Sequence, residues 1–176
     1  GYAVTAGNQA QLGLAELAMN IVKDKRVTAL GLYVEGLGSI RNFEKLVSLC
    51  DRLNKAIVII KIGKSEHAKV SAVSHTASLA GSDKGAAALM KRLGVARVDS
   101  LSEFIETLKI FHCHGRLSGA SVASVSCSGG EASLIADISN AKPISFPNLT
   151  KTQKEDLKIA LGLSLIHISE PTRLEP

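Results

Sequence analysis

The sequence predicts an α/β fold built on a parallel sheet with helices on both faces. Two observations predict it. The runs Thr28–Glu35 and Ala56–Ile60 are apolar almost throughout instead of alternating, as strands covered on both faces are. Between such runs lie longer stretches with apolar residues at helical spacing, and strands that alternate with amphipathic helices form parallel sheets.

The elements follow in order. Tyr2–Ala6 reads as a strand. Ala10–Lys23 reads as a helix, with Leu12, Leu14, Ala15, Leu17, Ala18, Ile21 and Val22 on one stripe. After the strand Thr28–Glu35, Ser39–Leu53 is helical, with Phe43, Leu46, Val47, Leu49, Cys50 and Leu53 facing the core. A further helix begins near Ser82 and runs to Leu93. Val95–Val98 is a short strand, and Leu101–Phe111 is a helix with Ser100 as its N-cap. The stretch His114–Ala120 breaks the periodicity and marks a seam. Beyond it come a strand, Ser121–Ser126, a glycine turn, a helix to about Ser139, a loop with Pro143 and Pro147, and a polar helix over Lys151–Leu161. Leu163–Pro176 continues no pattern and reads as the translation of a sequencing-library adapter, so it is set aside.

Composition narrows the function. The chain has 176 residues, 45% apolar and 21% charged, which supports a buried core. It has no Trp, 2 Tyr and 4 Phe, which leaves little for a base-stacking platform, and its net charge of +5 is spread without a basic run. No nucleic-acid partner is expected. No apolar run reaches the ~18–20 residues of a membrane span, and no membrane partner is expected either. The 3 cysteines show no CxxC spacing, so neither a disulfide framework nor a metal site is expected. The neighbours His112, Cys113 and His114 point different ways on a helix. The expected setting is reducing and cytoplasmic.

Chemistry concentrates at the carboxyl ends of strands, where open α/β sheets bind ligands. Gly7 and Asn8 end the first run, and Glu35 and Gly36 end the second. Ser74, His75, Thr76, Ser78, Gly81 and Ser82 form a small, polar stretch directly before a helix, where free N–H groups favour an anion. A neutral imidazole there has a lone pair for attack on phosphorus, and a carboxylate on its other nitrogen would fix the tautomer. Glu35 is the best-placed carboxylate by topology. On the residues alone, a surface histidine and a loop-bonding glutamate stay open. Ser128, Gly129 and Gly130 open a helix after a strand, a phosphate-binding geometry without the GK[ST] of a Walker loop. Lys61, Lys64 and Lys84 flank the His75 stretch and would attract phosphate or simply be solvated.

The ordered set YAVTAGNQAQLGLAELA, LYVEG, KIGKSE, SHTASLAGSD, RVDSLSEFIETL and SVSCSGGEASLIADI resembles the NDP-forming acyl-CoA synthetases, a family that includes ADP-forming acetate–CoA ligase and is related to succinyl-CoA synthetase. The resemblance runs over roughly residues 1–162 and is most specific at SHTASLAGSD and SGGEASLIAD. It implies a flavodoxin-like domain over residues 1–113 that carries a phosphohistidine and lacks its first strand. It also implies the start of a second flavodoxin-like domain over 114–162, with 163–176 as the foreign tail. It makes His75 the phosphorylated residue, Glu35 the holder of its ring, and Ser128, Gly129 and Gly130 the opening of a phosphate-facing helix. Gly7, Asn8, Ser74, Thr76, Gly81 and Ser82 become substrate-binding or loop-shaping positions.

The reaction implied interconverts acyl-CoA, ADP and phosphate with carboxylic acid, CoA and ATP. CoA and ATP or ADP with Mg are then substrates, bound mainly by CoA-binding and ATP-grasp domains in cis or in a partner subunit. A fragment of this kind is expected to be unstable and inactive alone. The alternative is a non-catalytic, acyl-CoA-sensing regulatory module of a lysine acetyltransferase, against which the retained His75 argues.

Overall fold

The computed structural model describes residues 1–7, 9, 11–65, 82–126, 128–140 and 142–161. The chain divides into two compact units, Gly1–Leu117 and a second that begins at Ser118. The first is an α/β layer structure. Its described elements are α1 (Leu14–Ile21), β1 (Ala29–Val34), α2 (Ile40–Arg52), β2 (Ala56–Lys61), α3 (Asp83–Arg92), β3 (Ala96–Arg97) and α4 (Leu101–His114). The second contains α5 (Gly129–Ser139) and α6 (Lys151–Leu161).

The three strands form a parallel sheet in the order β1-β2-β3. β2 is central and every one of its residues is buried, as its unbroken apolar run requires. Its register with β1 runs from Ala29 opposite Ala56 to Val34 opposite Lys61. β1 is less enclosed than expected: Leu30, Leu32 and Val34 are buried, but Tyr33 is exposed on the other face.

The core lies between one face of the sheet and α1, α2 and α3. Leu30, Leu32, Ile57 and Ile59 pack there with Ala18, Phe43, Leu46, Val47, Cys50 and Met90. α4 covers the opposite face. Gly31 makes that approach possible, since a Cβ on it would come within 2.5 Å of Phe104 Cζ and 2.8 Å of Leu108 Cδ1.

Local signals account for the helix ends. Ser39, Ser82 and Ser100 each accept a backbone N–H three residues on. Ser100 and Glu103 form a reciprocal capping box. α2 and α3 end alike, with Asn54 (φ 53) and Gly94 (φ 65) in the left-handed region. After α2, Lys55 N donates to Cys50 O at 2.8 Å and Asn54 N to Asp51 O at 3.1 Å; after α3, Val95 N donates to Met90 O at 3.0 Å and Gly94 N to Lys91 O at 3.3 Å, in each case the bond pair of a Schellman turn that feeds the helix into the next strand.

Two expected strands differ. Tyr2–Ala6 forms no ladder; Tyr2 and Val4 are exposed, and no described strand lies alongside to take up its backbone groups. Ser121–Ser126 is reduced to a single parallel bridge, Ser121 with Ser145, and Val125 is exposed. The apolar pattern of each run is real, but a strand exists only where a neighbour pairs with it. No helix among the described residues is long and apolar enough to cross a membrane.

Candidate active site

A cleft of about 1240 Å³ opens at the carboxyl edge of β1 and β2. Among the described residues, five chain segments line it: the N-terminal stretch through Gly7, Leu14 and Leu17 of α1, the end of β1 with the turn Glu35–Gly38, Lys61 at the end of β2 with Ile62, and α3 from Ser82 and Gly85 of its first turn. A parallel sheet puts all its carboxyl ends on one edge, so segments distant in sequence meet there.

Glu35 directly follows β1, is half-buried and lines the cleft. The turn after it needs a glycine, because Gly38 has φ +62 before Ser39 caps α2. Ile62 N donates to Val34 O at 2.9 Å, which extends the β1–β2 pairing to the cleft floor. Ser82 caps α3 at the cleft wall, and its Oγ accepts from Gly85 N at 3.4 Å. The positive end of that helix thus faces the space where an anion is favoured.

The flanking lysines separate. Lys84 is exposed. Lys64 is ion-paired to Asp99 and holds that carboxyl below its ordinary range. Lys61 is not solvated: it is 1% exposed, and its Nζ donates to Ile62 O at 3.1 Å. The sequence signal for this was the place of Lys61 at the end of an otherwise apolar strand. Arg97, at the end of β3, bonds Asp83 of α3 at 2.7 Å.

Gly7, Glu35 and Ser82 therefore share one cleft. Asn8, Ser74, His75, Thr76 and Gly81 lie outside the described residues. Ser128, Gly129 and Gly130 belong to the second unit, exposed at the start of α5. Ser128 caps it by accepting from Glu131 N at 3.2 Å. A Cβ on Gly129 would meet no described atom within 4 Å, and one on Gly130 only Ser128 Oγ at 3.8 Å, so packing does not demand these glycines. Among the described residues no three His, Cys, Asp or Glu side chains gather as metal ligands.

Comparison with known proteins bears on this site. The family of the succinyl-CoA ligase-like flavodoxin domain matches residues 1–111. The 4-hydroxybutyrate–CoA ligase (ADP-forming) of Nitrosopumilus maritimus is 28% identical over 86% of this chain and 22% of its own length. The alpha subunit of ADP-forming acetate–CoA ligase II of Pyrococcus furiosus is 30% identical over 88% of this chain and 34% of its own. The chain thus spans between a fifth and about a third of these relatives. A solved apo structure of the dinucleotide-forming acetyl-coenzyme A synthetase 1 of Ca. Korarchaeum cryptofilum superposes with a TM-score of 0.72 at 22% identity, over 89% of this chain and 34% of that one. That likeness concerns the fold, which is flavodoxin-like α/β. With the family match over most of its length, the chain belongs to the NDP-forming acyl-CoA synthetases, as a bearer of their succinyl-CoA ligase-like flavodoxin domain.

Proposed function

We propose that this chain is the phosphoryl-carrying segment of an acid–thiol ligase that interconverts acyl-CoA, ADP and phosphate with carboxylic acid, CoA and ATP. One observation carries the reading: the cleft at the strand ends gathers Glu35, Gly7 and the capped start of α3 around a space suited to an anion. The ligase names of the relatives support the reaction class. In this reading residues 1–113 are the phosphohistidine domain and 114–162 begin the second ligase domain.

The chemistry falls to His75. Its imidazole lone pair attacks phosphorus of an acyl phosphate, an N–P bond forms, the P–O bond to the acyl oxygen breaks, and the carboxylate leaves with the electron pair. Glu35 accepts from the other ring N–H and stabilises the charge of the phosphorylated ring. Ser74, Thr76, Gly81 and Ser82 shape the carrier loop. Ser128, Gly129 and Gly130 offer backbone N–H groups to the phosphoryl group, which fits glycines that packing does not require. Gly7 and Asn8 shape the substrate side. Splitting the transfer lets one imidazole serve an acyl phosphate and a Mg-nucleotide held apart by CoA-binding and ATP-grasp domains, in cis or on a partner subunit. The expected place is the cytoplasm, where CoA and nucleotides are plentiful.

The test is thiol release from an acyl-CoA by the full-length protein that carries this chain. The reading expects sustained release only with both ADP and phosphate present, and no more than a stoichiometric release with phosphate alone. Release that needs neither would make the protein a thioesterase and end the proposal.

A further inference from the structure

We infer that Arg97 is a positioning residue of the phosphoryl site, acting through Asp83; the inference rests on the phosphoryl reading above. Asp83 opens α3 directly after the cap Ser82 and is the acidic residue of its first turn. Ser82 and Gly85 line the cleft, while Asp83, between them in sequence, turns to β3. Arg97 Nη2 donates to Asp83 Oδ1 at 2.7 Å, and Nη1 donates to the Asp83 carbonyl at 3.4 Å. The register explains the reach. Arg97 lies opposite Ile59, so its side chain stands on the sheet face that packs against α3.

A carboxylate in a first helical turn already has a partner in the helix dipole, so the helix itself does not call for a cation there. An anion in the cleft changes that. A bare carboxylate one residue from Ser82 would repel it and offset the dipole end that attracts it. The Arg97 guanidinium cancels that charge and ties the first turn of α3 to the end of β3. The side chains of the pair are 18% and 32% exposed, so water screens it less than a fully solvated pair. The nearby lysines do not do this work: Lys84 is exposed, and Lys64 is ion-paired to Asp99. With Asp83 cancelled, the positive end of α3 is left to act on a phosphoryl group.

The test uses the full-length protein with Arg97→Met, Arg97→Lys and the double variant Arg97→Met, Asp83→Asn, and inorganic phosphate as probe. Phosphate affinity is read by calorimetry, phosphoenzyme by acid-labile label, and folding by thermal denaturation. Arg97→Met should bind phosphate roughly tenfold more weakly, the effect of one unit charge near an anion in a medium of intermediate dielectric. Added salt should narrow that gap. Arg97→Lys should recover part of the affinity. The double variant should return to within about threefold of wild type, because the repelling carboxylate is gone with its partner. A purely structural tie is lost in the double variant as in the single, which would then bind no better. If Arg97→Met does not fold, Arg97→Gln, a donor without the charge, carries the same comparison. Wild-type affinity in the uncharged variant, no rescue by Asp83→Asn, or no phosphate binding by wild type overturns the inference. Rescued phosphate binding without any label on His75 would uphold Arg97 and sink the reaction. A labelled enzyme whose phosphate affinity is indifferent to Arg97 would do the reverse.

Discussion

Val34 and Lys61 are opposite partners in the parallel register of β1 and β2, so the strand that leads into Glu35 and the strand that ends in a buried ammonium stop at the same level. That alignment puts a carboxylate and a cation on the rim of one cleft. A register slip of one residue would turn Lys61 to the face that α4 covers.

Glu35→Gln separates chemistry from folding. The half-buried amide keeps the shape of the carboxylate but not its charge. Phosphoenzyme in the full-length protein should fall by about tenfold or more, as loss of one charged partner in a low-dielectric site implies. The thermal midpoint should be unchanged. An unaltered phosphoenzyme level would remove Glu35 from its role.

Two glycines should behave in opposite ways. Gly31→Ala forces a methyl against Phe104 and Leu108 and should cost about 1–3 kcal/mol of stability. Gly129→Ala meets open space at a helix start and should leave stability within about 0.5 kcal/mol of wild type. In the proposed reading it still slows phosphoryl transfer by crowding the backbone N–H groups. Chemical denaturation of both variants, with turnover measured alongside, checks the contrast.

The α4 capping box carries a pH signature. N–H bonds from Asp99 and Ser100 hold the Glu103 carboxyl below its ordinary range. A folded pKa below the unfolded one stabilises above the unfolded value, about 4.3, and is lost as pH falls through that value and the lower folded one. Glu103→Gln should therefore flatten the acid limb of the stability curve and leave its slope near neutrality alone. Ser100→Ala, which removes the reciprocal bond, should cost about 1 kcal/mol at neutral pH.

Cys50 should be chemically silent. Burial against the core, together with the nearby Asp51 charge, pushes its thiol up to about 11, whereas Cys113 is exposed on α4. Near the ordinary thiol pKa of about 8.5, alkylation of the folded chain should mark Cys113 and spare Cys50. Peptide mass spectrometry reads both sites, and equal labelling would mean that the α2 face is not packed as described.

Much of the fold was legible because its determinants are local. The unbroken apolar run of β2, the stripe of Phe43, Leu46, Val47 and Cys50, and the caps Ser39, Ser82 and Ser100 all act within a few residues of themselves. Tyr2–Ala6 and Ser121–Ser126 were misread because strand formation depends on a partner elsewhere in the chain. At the site, Gly7, Glu35 and Ser82 could be assigned to one edge, since every parallel strand ends there. The burial of Lys61 was signalled only by its place at the end of an apolar run, a signal that a solvated strand-end lysine would share.

The most direct measurement is phosphate transfer to the full-length protein from radiolabelled phosphate and acyl-CoA without nucleotide. The account predicts one acid-labile, base-stable label that maps to His75, is absent in His75→Ala, and is discharged by ADP with formation of ATP. No label on wild type, or an undiminished label in His75→Ala, would contradict it.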